Sequence, residues 1–436
     1  MKIVGGAWSN WSGGVTCKPR HVVAPKDEVE LAAAVRTAEG VVRVPGTGHS
    51  FTPLNATDGT LIDLGAFTGL KGMDVAREIA TFGAATPLWE IGTLLHPLGF
   101  GLINMGDIDR QTLGGVVGTA THGTGPTLGS FSASVTGFQI LLASGEVLHC
   151  SRDDHPEIFD AGRVSMGMLG VMTEISLHVR PQYKLEEKGF FLPPDELFAK
   201  LDTLKAENRH FEFFWFPYAD RAICKTLNET LQDAPPPRSA EAMFARGEAG
   251  ARAPDMMLFT AINEILPYAP FLLRPAHRMF SQFMPAPPRV RWSHEAFPSP
   301  RNVRFNEMEY AVPAEKGADC VREIVEFIRK NRINTGFPLE FRTVAADDAW
   351  LSPFYQRPSV TIALHQYRRV DTDRLFKPVE DIFRRYEGRP HWGKRHTRTA
   401  GELAQIYPVY ERFRQLRAKL DPQGKFLNRY LKSLFG

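Results

Sequence analysis

The segment Val44-Pro45-Gly46-Thr47-Gly48-His49-Ser50 constrains this chain more than any other. It follows a helix pattern over Asp27–Glu39, stopped by Gly40, and a short apolar strand over Val41–Val44. Such a turn is where a backbone folds over a bound phosphate. Glycine takes positive φ and lets the chain approach a ligand closely, and successive amides make an anion-holding concavity. An imidazole there is bulky and titratable, so His49 makes sense if the ring reacts with, or bonds to, what the loop holds. Phe51 stands where a third glycine would complete G-x-G-x-x-G, so the doubly wound dinucleotide fingerprint is absent. Alone, the segment also reads as an ordinary turn. A second glycine-rich stretch, Gly114–Gly125, shifts the balance. Two such loops in one N-terminal half imply one long polar ligand gripped at two places.

With 436 residues the chain has room for two domains. Leu61–Leu64 and Glu78–Phe82 read as strands, and Pro87–Leu98 as a helix with Gly99 just past its end. Val135–Ala143 and Glu146–Cys150 form a hairpin pattern, Ile158–Met168 a helix and Gly170–Leu177 a strand. This is an α+β domain over 1–181. From Gln182 the composition changes. Phe211–Pro217 is an aromatic strand, and Ala234–Pro254 a Pro- and Ala-rich, mobile connection. Val303–Val312, Phe337–Val344 and Val360–Tyr367 read as strands, Lys316–Lys330 and Val379–Tyr386 as helices. Residues 182–388 make a second domain, and Ala404–Leu420 reads as the final helix.

Period-2 alternation puts Glu340 and Arg342 on one strand face, with Phe341 on the other. An acid beside a guanidinium suits a cavity that holds hydroxyls and stabilises negative charge; a structural ion pair is the competing reading. Lys394 lies in the loop Arg389–His396, which is either a solvated basic loop or one that brings an ammonium to an electron-rich centre. His391 and His396 have no zinc spacing, and no metal site is expected. G-x-S-x-G, P-loop and H-E-x-x-H motifs are absent. A net charge of +3 without a clustered basic face argues against nucleic acid. Cys17, Cys150, Cys224 and Cys320 are scattered, which fits reduced thiols in a cytoplasm. The first residues carry no apolar core of a secretory signal. Met256–Leu273 is the most membrane-like stretch, but Asn263, Glu264 and two prolines interrupt it, so no spanning segment is expected. Peripheral membrane contact through 234–285 stays open.

Together these residues resemble the vanillyl-alcohol oxidase superfamily and, within it, the sugar-lactone oxidases: gulonolactone, arabinonolactone and related alditol oxidases. The resemblance spans essentially the whole chain. Gly46–Ser50, Thr119-Ala120-Thr121-His122-Gly123 and Leu169–Thr173 are its N-terminal anchors. Glu340–Asp347 and Trp350–Pro353 are close to alditol oxidases. Phe213–Pro217, His391–Lys394 and Asp421–Asn428 are closer to gulonolactone oxidases. The resemblance implies a two-domain, PCMH-type FAD-binding fold with a mixed-sheet substrate (cap) domain, and a segment 389–436 returning to the flavin.

It also implies FAD bonded covalently through His49 to the flavin 8α-methyl. Around it would lie Val44, Pro45, Gly46, Thr47, Gly48 and Ser50 of the first loop. Asp107, Thr112, Gly115, the Thr119, Ala120, Thr121, His122 run, and Val171 with Met172 would complete the cofactor site. Lys394 and Arg342 would offset negative charge during hydride transfer to flavin N5, and Glu340 would orient hydroxyls or accept a proton. Asp107, Glu340, Arg342, Lys394 and Gln366 (or its neighbour His365) would contact substrate. Asp107 departs from the serine of alditol oxidases, and Gly106 aligns where oxygen-avoiding dehydrogenases carry alanine, leaving oxygen a path. The implied activity is oxidation of sugar-1,4-lactones of the L-gulono, D-arabinono or L-galactono type, with O2 reduced to H2O2. Three alternatives stay open: an alditol oxidase giving an aldose, a dehydrogenase passing electrons to a quinone or cytochrome, and a flavin-binding relative without turnover.

Overall fold

The computed structural model describes residues 3–249, 254–282, 288–299 and 303–436. Near the N-terminus three short parallel strands run in the order His21–Val23, Thr60–Ile62, Val42–Arg43. The helix Glu28–Thr37 joins His21–Val23 to Val42–Arg43. Asp27 caps it by accepting from the Glu30 amide, Glu28 and Glu30 face the positive end of its dipole, and Leu31, Ala32 and Val35 fill the core. The Val42–Arg43 strand leads directly into the Val44–Ser50 loop, which therefore leaves the carboxyl edge of a parallel sheet.

A second, antiparallel sheet follows in the order Val147–Ser151, Val135–Leu141, Val171–Pro181, Ile79–Gly83, Leu70–Asp74, with Phe100–Leu102 on the far end of Val171–Pro181. Its core takes in Phe82, Ile91, Val116, Phe138 and Ile175, and also Leu403, Tyr407, Phe413, Leu431 and Phe435 from the chain's other end. The Arg43 guanidinium donates to the Phe426 carbonyl at 2.6 Å, and the Lys425 ammonium to Val35 at 2.7 Å. Thus the last segment closes over the first.

The third sheet is antiparallel and eight-stranded: Arg289–Trp292, Lys184–Leu192, Ala222–Thr230, His210–Trp215, Leu339–Val344, Ser359–Tyr367, Phe305–Pro313, Arg389–Pro390. Alternation gives it two chemically opposite faces. Phe211, Phe213, Phe341, Ile362, Leu364, Met308 and Tyr310 form a dry face, sharing a core with residues of the helices Pro194–Glu207, Gly317–Lys330 and Asp373–Arg385. Phe341 stacks on Phe213 at 4.5 Å and 15°. The intervening residues, Glu212, Glu307, Glu309, Glu340, Arg342 and His365, carry the charge.

Several elements differ from their sequence patterns. The helix expected over Ile158–Met168 spans only Pro156–Gly162. Arg163 is drawn into ion pairs with Asp160 and Asp348, and the chain turns away through Met166 (φ 51°) and Gly167 (φ 69°). The expected final helix is two, Ala400–Ile406 and Tyr410–Leu420, because Pro408 lacks the N–H and crowds the preceding turn. A further helix, Arg429–Phe435, is capped by Asn428. The helix expected from Val379 begins at Asp373, with Pro378 inside it.

The Ala234–Pro254 connection contains a helix, Ala240–Ala249, in keeping with its alanines. Arg110 donates to the Met243 carbonyl, while Arg238 pairs with Glu295. Residues 250–253 of that connection lie outside the described residues. The first half of the second glycine-rich stretch is also helical, Leu113–Gly118, with Gly114 set close to the Ala84 carbonyl. Among the described residues no helix is long and apolar enough to cross a membrane.

Candidate active site

Two clefts adjoin at Ser50 and Thr119, which line both. The larger, about 1270 Å³, lies among the Val44–Ser50 loop, the Leu113–Gly118 helix and the Gly170–Met172 turn. Its walls carry Gly46, Gly65, Gly115, Gly167 and Gly170, together with Val44, Leu64, Val171, Met172 and Phe426. The first loop packs closely against Thr112, which only glycine allows: a Cβ on Gly46 would sit 2.3 Å from the Thr112 hydroxyl oxygen. Of the expected cofactor residues, Val44, Pro45, Gly46, Thr47, Ser50, Thr112, Gly115, Thr119, Val171 and Met172 line it.

The smaller cleft, about 820 Å³, opens over the charged face of the eight-stranded sheet. His49, Gly106, Asp107, Thr121, His122, Glu340, Arg342 and Lys394 all line it. The backbone explains how residues so far apart in sequence meet. Asn10 donates to the Ser50 carbonyl and the Trp11 amide to Gly48, pinning the first loop. The Phe51 amide then donates to Gly393 at 2.6 Å, and the Thr52 hydroxyl to Trp392 at 2.8 Å, which places Lys394 beside that loop.

Three expected residues lie elsewhere. Gly48 (φ 79°) turns its missing side chain to Trp8, Asn10 and Trp11, so its part is the turn itself. Ala120, at φ 55°, is buried in the apolar core. Gln366 points to the opposite face of its strand from His365 and donates to the Asn334 carbonyl; His365 is the residue in the cleft.

His49 stacks on Trp11 at 5.8 Å and 23°. Burial, with Lys394 and Arg110 nearby, lowers its pKa to about 4, so the ring is neutral at physiological pH. Arg342 lies amid three carboxylates. Glu212 stands directly opposite it in the strand register and accepts at 2.8 Å, Asp107 lies 2.7 Å away, and Glu340 pairs from the same strand face. Although burial opposes it, these acids hold Arg342 well above its ordinary pKa. Burial, helped by Asp107 and Glu212 and opposed by Arg342, raises Glu340. Asp107, Glu212 and Glu340 are close enough to hold a metal ion, but Arg342 already occupies the centre of their charge.

A second charged group surrounds Lys394. Its ammonium pairs with Glu307, lies 4.0 Å from Glu309 and sits over the Phe51 ring. Burial would raise Glu307, but Lys394 and His365 outweigh it and hold it near about 2. Glu309 is likewise held well down against burial, by His122 at 2.7 Å, His391 and Lys394. Glu307, Glu309, Glu212 and His365 are thus functional candidates that the motif reading passed over or left ambiguous. The available signal was Phe305-Asn306-Glu307-Met308-Glu309, whose alternation places both acids on the face of Phe305.

The paired clefts fit an extended flavin dinucleotide: a glycine-lined groove for its phosphates and nucleotide, opening to a charged chamber beside a neutral imidazole. Chemically, the chamber offers fixed acids and one ammonium to a polar group bound within it.

Comparison with known proteins agrees. A family of D-arabinono-1,4-lactone oxidases matches residues 175–434, and a family of FAD binding domains matches residues 19–151. The chain is 35% identical to an L-gulono-1,4-lactone dehydrogenase of Mycobacterium tuberculosis, covering 98% of this chain and 99% of that protein. It is 31% identical to an L-gulonolactone oxidase of Bos taurus, covering 98% of each. The structure of a cholesterol oxidase from Brevibacterium sterolicum superposes with a TM-score of 0.81 over 99% of this chain and 97% of that one, at 16% identity; this speaks for the fold alone.

Proposed function

The chain belongs to the sugar-lactone oxidase family, FAD-dependent oxidoreductases acting on CH–OH groups within the vanillyl-alcohol oxidase superfamily, and from that premise we propose that it oxidises sugar-1,4-lactones at the C2 carbinol with O2 as acceptor. The convergence of Lys394 and the Glu340–Arg342 pair on one chamber, with His49 at its rim, carries this reading. Bound FAD supplies a two-electron acceptor, tethered in our reading to the neutral His49 ring.

Within the chamber, Glu340 accepts hydrogen bonds from the ring hydroxyls and is itself oriented by Arg342. Lys394, steadied by Glu307, faces the carbinol oxygen and counters the negative charge that develops there. Asp107 and Glu212 hold the Arg342 guanidinium, so its part is to fix the acids rather than to act as a free cation. Lactones of the L-gulono, D-arabinono and L-galactono type are the proposed substrates. Gly106 lines the chamber without a Cβ, which supports access of O2.

A second reading is a dehydrogenase that passes electrons to a quinone or cytochrome; the relative bearing that name over the whole chain favours it. An H2O2 assay on air-saturated holoenzyme with a panel of lactones and alditols tests the proposal. Peroxide from lactones supports it. Peroxide from alditols alone moves the substrate class, dye reduction without peroxide moves the acceptor, and no turnover removes the activity.

A further inference from the structure

We propose that His365 is the base that takes the carbinol proton, with Glu307 as its positioning residue. This rests on the CH–OH oxidation assigned above. His365 alternates with Thr361 and Ala363 on the face that lines the charged chamber. Glu307 stands directly opposite it in the antiparallel register, and its Oε1 lies 3.5 Å from His365 Nε2, while the other oxygen holds Lys394. Phe305 meets the ring edge-on at 4.8 Å and Phe337 lies at 6.1 Å, so the imidazole plane is fixed between aromatic neighbours. A carboxylate facing Nε2 favours the tautomer with its proton there, leaving the lone pair on Nδ1. That Nδ1 is buried and has no hydrogen-bond partner among the described residues. Buried polar atoms are ordinarily satisfied, and because His365 lines the chamber the partner we assign to this nitrogen is a bound hydroxyl.

The other basic groups in the chamber are engaged. The His122 nitrogens face Glu309 and the Gly123 carbonyl at 2.7 and 2.8 Å. His391 Nδ1 accepts from the Gly393 amide at 3.0 Å. Glu340 is paired with Arg342, and Glu307 with Lys394. The charged groups that bear on His365 are Glu307 on the neighbouring strand and Glu340 across the sheet face, with Lys394 from the C-terminal loop paired to the far oxygen of Glu307. In the step itself, the carbinol C–H bond breaks and its electron pair leaves as hydride to the flavin. The C–O bond becomes a carbonyl, and the O–H proton passes to Nδ1, forming an imidazolium beside Glu307. Solvent then takes that proton.

The test is anaerobic stopped-flow reduction of the holoenzyme by L-gulono-1,4-lactone across pH, with flavin content and binding of the 2-deoxy lactone (from flavin absorbance) as controls. We expect His365→Gln and His365→Ala to bind flavin and the 2-deoxy lactone normally. Reduction should slow by about 10²- to 10⁴-fold, as loss of a general base does. The acid limb of the rate profile should vanish, and added imidazole should speed His365→Ala. Glu307→Gln should move the limb to lower pH, since it removes the carboxylate that favours the imidazolium. A wild-type rate in both His365 variants overturns the assignment. So does a slowed His365 variant that keeps the wild-type limb, or a limb lost only in Glu340→Gln. Failure of every lactone and alditol to reduce the wild-type flavin defeats the proposed function instead.

Discussion

Arg342→Met removes the one cation shared by Asp107, Glu212 and Glu340, whose carboxylate oxygens lie within 4.8 Å of one another. Lys225, 3.1 Å from Glu212, remains beside that acid. Removing one partner of a buried ion pair costs about 3–5 kcal/mol, because a charge is left uncompensated in low dielectric. The acids can relieve that cost by taking up a proton, and Glu340 is already raised with Arg342 in place. In the variant its folded pKa therefore rises further above the unfolded value. A carboxyl raised on folding binds more protons in the native state, so stability falls as pH rises through the window between the two pKa values.

Each retained proton gives a slope of about 1.4 kcal/mol per pH unit. Urea unfolding of variant and wild type at pH 8, 6.5 and 5 reads this directly. The expected gap is about 3–5 kcal/mol at pH 8, narrowing toward pH 5. A gap that is absent, or that stays the same at all three values, would refute the idea that Arg342 holds these acids by charge.

Two further outcomes follow from the chamber. Lys394→Met should slow flavin reduction by about 10²- to 10³-fold in stopped-flow with lactone, the usual loss for one charge-stabilising donor; a near-normal rate would take Lys394 out of the reaction. Gly106→Ala places a Cβ 3.0 Å from the His122 carbonyl oxygen. Reoxidation of the reduced holoenzyme in air-saturated buffer should slow several-fold while lactone reduction is retained, and unchanged reoxidation would exclude Gly106 as the oxygen path.

How far the site could be read from residue order depends on the kind of signal. The Val44–Ser50 loop was legible because turn chemistry is local: glycines and a preceding strand suffice. Glu340 and Arg342 were legible because strand alternation puts neighbours two apart on one face. Glu307 and Glu309 obey the same rule, yet two acids on a strand read equally well as a solvated edge until their cations are located. Lys394 lies 87 and 85 positions further on, and only the folded chain brings it there. Gln366 against His365 is a one-residue choice, and a one-residue slip reverses a strand's faces. Pro408 was visible, but apolar periodicity continued across it and masked the break. The helix at Ala240–Ala249 was hidden by the prolines before it, although its alanines favour helix.

The proposed tether at His49 is the most direct test of the whole account. Acid precipitation of the purified wild-type protein, followed by intact-mass measurement of the washed pellet, should give a yellow polypeptide heavier by one FAD, and His49→Ala should release its flavin to the supernatant. A colourless pellet of unmodified mass from the wild-type protein, or a still-yellow one from His49→Ala, would contradict it.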